Sequence, residues 1–159
     1  MKESNEPHGV PGVLELPAFA AVPGVTQPPD VRLLHIARDE RLANAGTSAV
    51  SFARCNVAVA RVRVGGRTEY LSAGNLPHKA GGIHSEEYLL AQVHDLRKRW
   101  QEVRVEQLYS ERIPCAKICM PIIKERWPAA AVFYSVSIPL DPRDTTRAAA
   151  LMRVYGLLR

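Results

Sequence analysis

Cysteine is scarce in this chain of 159 residues, which holds only Cys55, Cys115 and Cys119. Three cysteines cannot all pair with one another. That count excludes the dense disulfide framework of a small secreted domain and favours a reducing compartment. Long apolar runs are also missing, and no stretch approaches the roughly 20 apolar residues that cross a bilayer. The opening MKESNEPHGV lacks the apolar core of a secretory signal, so nothing in it marks this stretch for export by itself. Internal repeats are absent, and low complexity is confined to a proline-rich start. Acidic residues fall short of basic ones, 16 against 21, for a net charge of +5. The shortfall is uneven. Residues 1–30 hold Lys2 against Glu3, Glu6, Glu15 and Asp30, a net of −3, which leaves +8 on the remainder. A folded part so basic suits either a polyanionic partner such as nucleic acid or a well-solvated surface.

What is present fits one compact domain. The hydrophobic content of 47% is ordinary for a globular protein and argues against disorder over most of the length. Six of the 12 prolines fall in the first 29 residues, where they remove amide donors and block helix and inner strand. The reading is a lead-in or linker over 1–29 and a folded domain over 30–159. Asp30 is placed to cap a helix through VRLLHIARDERLANAG, with Gly46 as its stop. In CNVAVARVRVGGRTEYLSAGN the alternation and the Gly65-Gly66 pair predict a hairpin. Leu89, Val93, Leu96 and Trp100 recur at helical spacing in HSEEYLLAQVHDLRKRW, with Glu86 and Glu87 near its positive end. EVRVEQLYS predicts a strand, and PCAKICMPIIKERWP a helical segment that Pro121 kinks or restarts. AAAVFYSVSI predicts a strand buried on both faces, and DTTRAAALMRVYGLLR a closing helix. Strands alternating with helices imply an α/β layered sheet with helices on its faces.

Chemistry concentrates in two places. Cys115 and Cys119 sit one helical turn apart behind Pro114, so both thiols can face one metal ion. A C-x-x-x-C pair alone is weak evidence, since such pairs are often core cysteines. His84 upstream, at the head of its own helix, changes the weighing. One imidazole and two thiolates make three zinc ligands and leave a fourth position open for water, as catalytic zinc requires. Glu86, two residues on, would lie near the metal without ligating it and could carry protons. Other residues carry less. His35, His78 and His94 are possible ligands that a complete set does not need, and Cys55 reads as core. Trp100 and Trp127, at helix ends, read as caps of the core or as stacking surfaces for a base.

His84-Ser85-Glu86 followed by Pro114-Cys115 and Cys119 resembles the H-x-E…P-C-x-x-C signature of the zinc-dependent cytidine deaminase-like superfamily. The element order agrees from the first helix to the end. The resemblance implies a three-layer fold with a central mixed sheet of four to five strands. It implies Zn2+ held by His84, Cys115 and Cys119, with Glu86 moving protons during hydrolytic deamination. Ser85, Ser110 and Pro114 would border the substrate pocket, and Asn75 stands where the family has an asparagine touching sugar or base. Two features depart from the pattern. The cysteines are separated by three residues, as in the AID/APOBEC-like branch, and no strand is visible after the last helix to complete five. The E-P-C-x-M-C of tRNA adenosine deaminases is absent. YSERIPC behind a proline-rich leader looks more like the deaminase domains of bacterial polymorphic toxins.

That likeness implies cytosine in DNA or RNA as substrate, single-stranded DNA favoured, and action in the cytoplasm of a recipient cell as part of a larger toxin. It also implies a cognate immunity protein as a partner and no membrane. Met1 would then be a boundary feature. In AID/APOBEC-like enzymes the matching loop contacts the base 5′ to the target, which makes residues 137–147 the candidate for reading sequence context, with Arg143 and Arg147 on phosphates, while DPRD also reads as a plain turn and N-cap. A deaminase of free nucleosides or bases, and a non-catalytic zinc or nucleic-acid-binding domain, are the alternatives.

Overall fold

The computed structural model describes residues 20–74, 84–136 and 145–157. Helix α1 (Val31–Glu40) begins where Asp30 accepts from Arg32 N at 3.0 Å, as the sequence leads one to expect. Its end differs from expectation. A single π-helical turn, Arg41–Ala45, follows the α-helix, and the chain leaves through Gly46 at φ +84°. The widening coincides with Arg41, whose buried guanidinium turns inward and donates to the Gly46 carbonyl at 2.8 Å. A six-residue helix α2 (Ala49–Arg54) comes next, capped by Ser48 through Ser51 N at 3.1 Å. The sequence reading did not include it, because six residues are too few to display a helical period.

Strands β2 (Val57–Val64) and β3 (Arg67–Gly74) form the expected hairpin. Gly65 and Gly66, at φ +54° and +87°, supply the two positive angles that a two-residue turn of this kind needs. Helix α3 (Ser85–Arg99) buries Leu89, Val93 and Leu96, whereas Trp100 at its C-cap turns outward beneath the Arg67 guanidinium, 5.1 Å from the ring centre. Strand β4 (Val103–Arg112) runs two residues further than the alternation suggested. It leads into α4 (Cys119–Arg126), where Pro121 sits in the first turn and its missing N–H costs no helical bond. Strand β5 (Ala131–Val136) and helix α5 (Thr145–Val154) complete the order.

The sheet is five-stranded and mixed, ordered β1-β5-β4-β2-β3 with only β4 and β5 parallel; β1 (Ala20–Ala21) pairs antiparallel with β5. The fifth strand thus precedes α1 instead of following the last helix. Two residues carry no pattern to read. Strand alternation divides the core into two layers. Val57, Val59, Tyr109 and Phe133 face α1, α2 and α5 through Leu33, Phe52 and Leu151. Ala58, Ala60, Val62 and Leu108 face α3 and α4 through Leu89, Val93 and Ile123. This is the expected three-layer α/β arrangement. Among the described residues, no helix is long and apolar enough to cross a membrane.

Candidate active site

The first turns of α3 and α4 meet beside the far end of β4. His84 is the N-cap of α3, and the Glu87 carboxylate accepts from its backbone N–H at 2.7 Å, closing the helix start around it. Cys119 opens α4, and a tight turn folds Cys115 back so that Met120 N donates to the Cys115 carbonyl at 2.9 Å. Cys119 N also points at the Cys115 sulfur, 3.3 Å away, a donor suited to a thiolate.

Three ligand atoms converge from these segments. The His84 Nδ1, Cys115 Sγ and Cys119 Sγ all lie within 4.8 Å of one another, a group that could hold a metal ion. His84 Nδ1 is 3.2 Å from Cys119 Sγ and 3.9 Å from Cys115 Sγ. Tetrahedral zinc with bonds of about 2.0 Å to nitrogen and 2.3 Å to sulfur would separate such atoms by about 3.5 Å. The two observed distances bracket that value, so the donor set fits. Burial, then the Glu86 carboxylate and Cys115, push the Cys119 thiol well up from its ordinary value. A dication among these groups reverses that balance.

Glu86 is 4% exposed and projects from the first turn of α3 toward the same place. Its Oε2 lies 3.6 Å from Cys119 Sγ. The Ser110 hydroxyl donates to its Oε1 at 2.9 Å, and Ser85 Oγ approaches Oε2 at 3.3 Å. Both serines are fully buried. A pocket of about 690 Å³ opens over these groups, walled by Asn56, Arg112, Ile113, Pro114, Lys117 and Met120. A buried carboxylate beside a metal-ligand set, at the floor of a pocket with an apolar wall, can accept a proton and return it to a planar ring held above.

Of the residues singled out from sequence, the structure gathers His84, Ser85, Glu86, Ser110, Pro114, Cys115 and Cys119 around one pocket, the two serines on its inner side. Asn75, Arg143 and residues 137–144 of the proposed context-reading segment lie outside the described residues, as does the side chain of Arg147, while residues 145–147 open α5. Cys55 is buried at the end of α2, where burial pushes its thiol up. Trp127 is buried, and His94 lies exposed on α3.

Two residues in the site escaped the sequence reading. Asn56, 5% exposed, stands just before β2 with its Nδ2 2.7 Å from Ser85 Oγ and 2.8 Å from Ser110 Oγ. A lone amide heading the apolar run of CNVAVA was the available signal. Arg112 ends β4 in the pocket wall and donates to the Ala53 carbonyl at 3.3 Å. Burial holds its guanidinium below the ordinary value even with Glu111 and Glu86 nearby, and it forms no ion pair among the described residues. Glu111 is occupied elsewhere, by Arg41 on the opposite face of the sheet.

No curated protein and no solved structure matches the chain. A family model described as Xanthomonas-like deaminase matches residues 53–154, which begins just ahead of Asn56 and takes in both helix starts, the pocket and α5. The chain belongs to that deaminase family.

Proposed function

We propose that the chain is a zinc-dependent hydrolase that deaminates cytosine to uracil in nucleic acid. The observation that carries this reading is the buried Glu86 carboxylate, 3.6 Å from Cys119 Sγ and two residues after His84, on the floor of the pocket. When bound by His84, Cys115 and Cys119, zinc supplies the Lewis acidity that makes a water nucleophilic near neutral pH. The rest falls to the chain. Glu86 takes one proton from the attacking water and places it on the ring nitrogen, then takes the remaining proton of the new hydroxyl and passes it to the amino group, which leaves as ammonia while the carbonyl forms. The balance is one water consumed, one C–N bond broken and one C–O bond made. Ile113, Pro114, Ile118 and Met120 give the ring an apolar wall and limit competing water.

A phosphate-bearing substrate is supported by Arg112 and Lys117 in the pocket wall and by the net charge of +5. A single strand is favoured because a base must leave its stack to reach the buried Glu86 carboxylate, and DNA over RNA is assigned on the family likeness alone. The YSERIPC signature and the proline-rich leader support a role as the deaminase domain of a bacterial toxin, acting in a recipient's cytoplasm and countered by an immunity protein. Residues 1–29 are then the linker to a delivery portion, and 30–159 the deaminase domain. Asn75, Arg143 and Arg147 are assigned to substrate contact on the family likeness alone. The test is to load the protein with zinc, offer single- and double-stranded DNA and RNA oligonucleotides and free cytidine, and sequence or chromatograph for C-to-U conversion. Glu86→Gln should keep its metal and lose at least ~100-fold in rate. Conversion of cytidine with none in any oligonucleotide would remove nucleic acid from the reading. Normal rates in Glu86→Gln would remove the mechanism.

A further inference from the structure

Asn56 joins three segments that are far apart in sequence, and its donor–acceptor accounting has a direction. Its Oδ1 accepts the backbone N–H of Arg112 at 3.0 Å, which settles which end of the amide is oxygen. Nδ2 therefore faces Ser85 Oγ at 2.7 Å and Ser110 Oγ at 2.8 Å, and an amide nitrogen can only donate. Two amide hydrogens meet two hydroxyl oxygens. Each hydroxyl is thereby made an acceptor toward Asn56, and its own hydrogen must point elsewhere. For Ser110 that is Glu86 Oε1 at 2.9 Å; for Ser85 the neighbour is Glu86 Oε2 at 3.3 Å. Asn56 Nδ2 itself lies 3.4 Å from Oε1, too long to replace the hydroxyls.

We infer that Asn56 is a positioning residue that forces Ser85 and Ser110 to donate to Glu86 and so fixes the plane of its carboxylate against the metal-ligand set. The inference rests on the reading of Glu86 as the proton carrier. A carboxylate gripped at Oε1 presents Oε2 toward Cys119, whereas one that is released can rotate about its last bond. Proton transfer needs heavy-atom distances of about 2.6–3.2 Å, and a displacement near 1 Å costs about 100-fold. Asn56, Ser85 and Ser110 are all at most 5% exposed, so water does not stand in readily for a lost partner.

The inversion test is Asn56→Asp, which keeps the shape and the acceptor for Arg112 N but cannot donate. Both serine hydroxyls then turn toward the new carboxylate and away from Glu86. With the zinc-loaded protein and a cytosine-containing oligonucleotide, Asn56→Asp and Ser110→Ala should each lose about 30-fold or more in kcat, with KM within about 2-fold and metal content unchanged. The double variant should fall no further than the worse single one, since both act through one carboxylate. A second readout needs no turnover. In 1H–15N spectra the Asn56 side-chain amide should show two protons protected from exchange, and Ser110→Ala should shift and expose one of them. The inference is overturned by wild-type kcat in folded Ser110→Ala or Asn56→Asp, by losses that multiply in the double variant, or by an amide pair that ignores Ser110→Ala. If the wild-type protein converts no cytosine substrate, the functional reading fails, and the amide spectra still decide whether Asn56 directs the hydroxyls.

Discussion

Replacing Glu111 by glutamine should destabilise the protein far more than any surface charge change. Glu111 is 1% exposed, and its two oxygens accept four hydrogen bonds. These come from Arg41 Nε at 2.7 Å, an Arg41 terminal nitrogen at 2.5 Å, Val57 N at 2.8 Å and the Tyr155 hydroxyl at 2.5 Å. Arg41 is fully buried, donates also to the Gly46 and Cys55 carbonyls, and lies 4.1 Å over the Phe52 ring. Burial alone would lower the Arg41 guanidinium, but the hydrogen bonds and charge of Glu111 outweigh it and hold it raised. Glutamine keeps the volume, removes the countercharge and points two amide hydrogens at groups that are themselves donors. Stranding one member of a buried pair costs about 3–5 kcal/mol. For a chain of this size each kcal/mol moves the melting temperature by about 2–4 °C, so a drop of about 6–20 °C is expected. Calorimetry at neutral pH is the assay, with Glu69→Gln as the control. Glu69 pairs with Arg67 at 2.8 Å on the exposed edge strand, where such a bridge is worth at most about 1 kcal/mol. Equal melting temperatures for the two variants would refute the reasoning. Arg41→Met with Glu111→Leu should recover only part of the loss, because Val57 N and the Cys55 carbonyl lose these partners and the Tyr155 hydroxyl keeps only Tyr109, at 3.4 Å.

Three further outcomes follow from the same contacts. A Cys115→Ala, Cys119→Ala double variant should release the metal, measured by elemental analysis after dialysis; a full equivalent retained would rule out the ligand set. Arg112→Gln should raise KM for an oligonucleotide about 10-fold while changing cytidine turnover little, and equal effects on both would deny it a phosphate contact. Tyr109 and Tyr155 are held above their ordinary value, by burial first and by Glu111 next. Above pH of about 10 the unfolded chain sheds those protons and the native state keeps them, so stability should be intact below that pH and decline above it. Melting from pH 8 to 11 checks this, Tyr155→Phe should flatten the slope, and a flat wild-type profile would contradict it.

What could be read from the sequence was whatever repeats or recurs at short range. The hairpin announced itself through alternation and Gly65-Gly66, and α3 through Leu89, Val93 and Leu96. The grouping of His84, Cys115 and Cys119, which could hold a metal ion, was legible because these residue types are rare and their spacing is constrained by helix starts. The rest depends on partners distant in the chain. Strand β1 has two residues and exists because β5 offers it an edge. Glu111 and Arg112 lie beyond the strand predicted over EVRVEQLYS, since charged groups seldom end an inner strand. Arg41, 70 residues away, makes Glu111 tolerable there. Asn56 reads as a polar strand lead until Ser85 and Ser110 are brought to it.

Consecutive residues at the end of β4 serve opposite faces of the sheet, and this gives the buried pair a purpose that stability does not. A buried ion pair is seldom the most stabilising filling of a core. Strand β4 carries an irregularity: Arg61 pairs with Gln107 but Val62 with Val105, so Glu106 is an extra residue on the β4 side. Past that bulge the strand must still place Ser110 toward Glu86 and Glu111 toward Arg41. A slip by one residue would exchange them, sending Ser110 into the α1–α5 layer and Glu111 against the metal-ligand set. Leu108 and Tyr109 both bury mainly apolar surface, so they discriminate between the two registers less than a charge does, even with the Tyr109 hydroxyl 2.7 Å from Ser135 Oγ. Arg41 discriminates strongly, because among the described residues its ion-pair partner is Glu111. The Arg41→Met, Glu111→Leu variant tests the role of the pair in holding register. It should remain folded yet show doubled backbone resonances over residues 108–112, and a single sharp set with wild-type shifts at Ser110 would show that the apolar pattern alone holds the register.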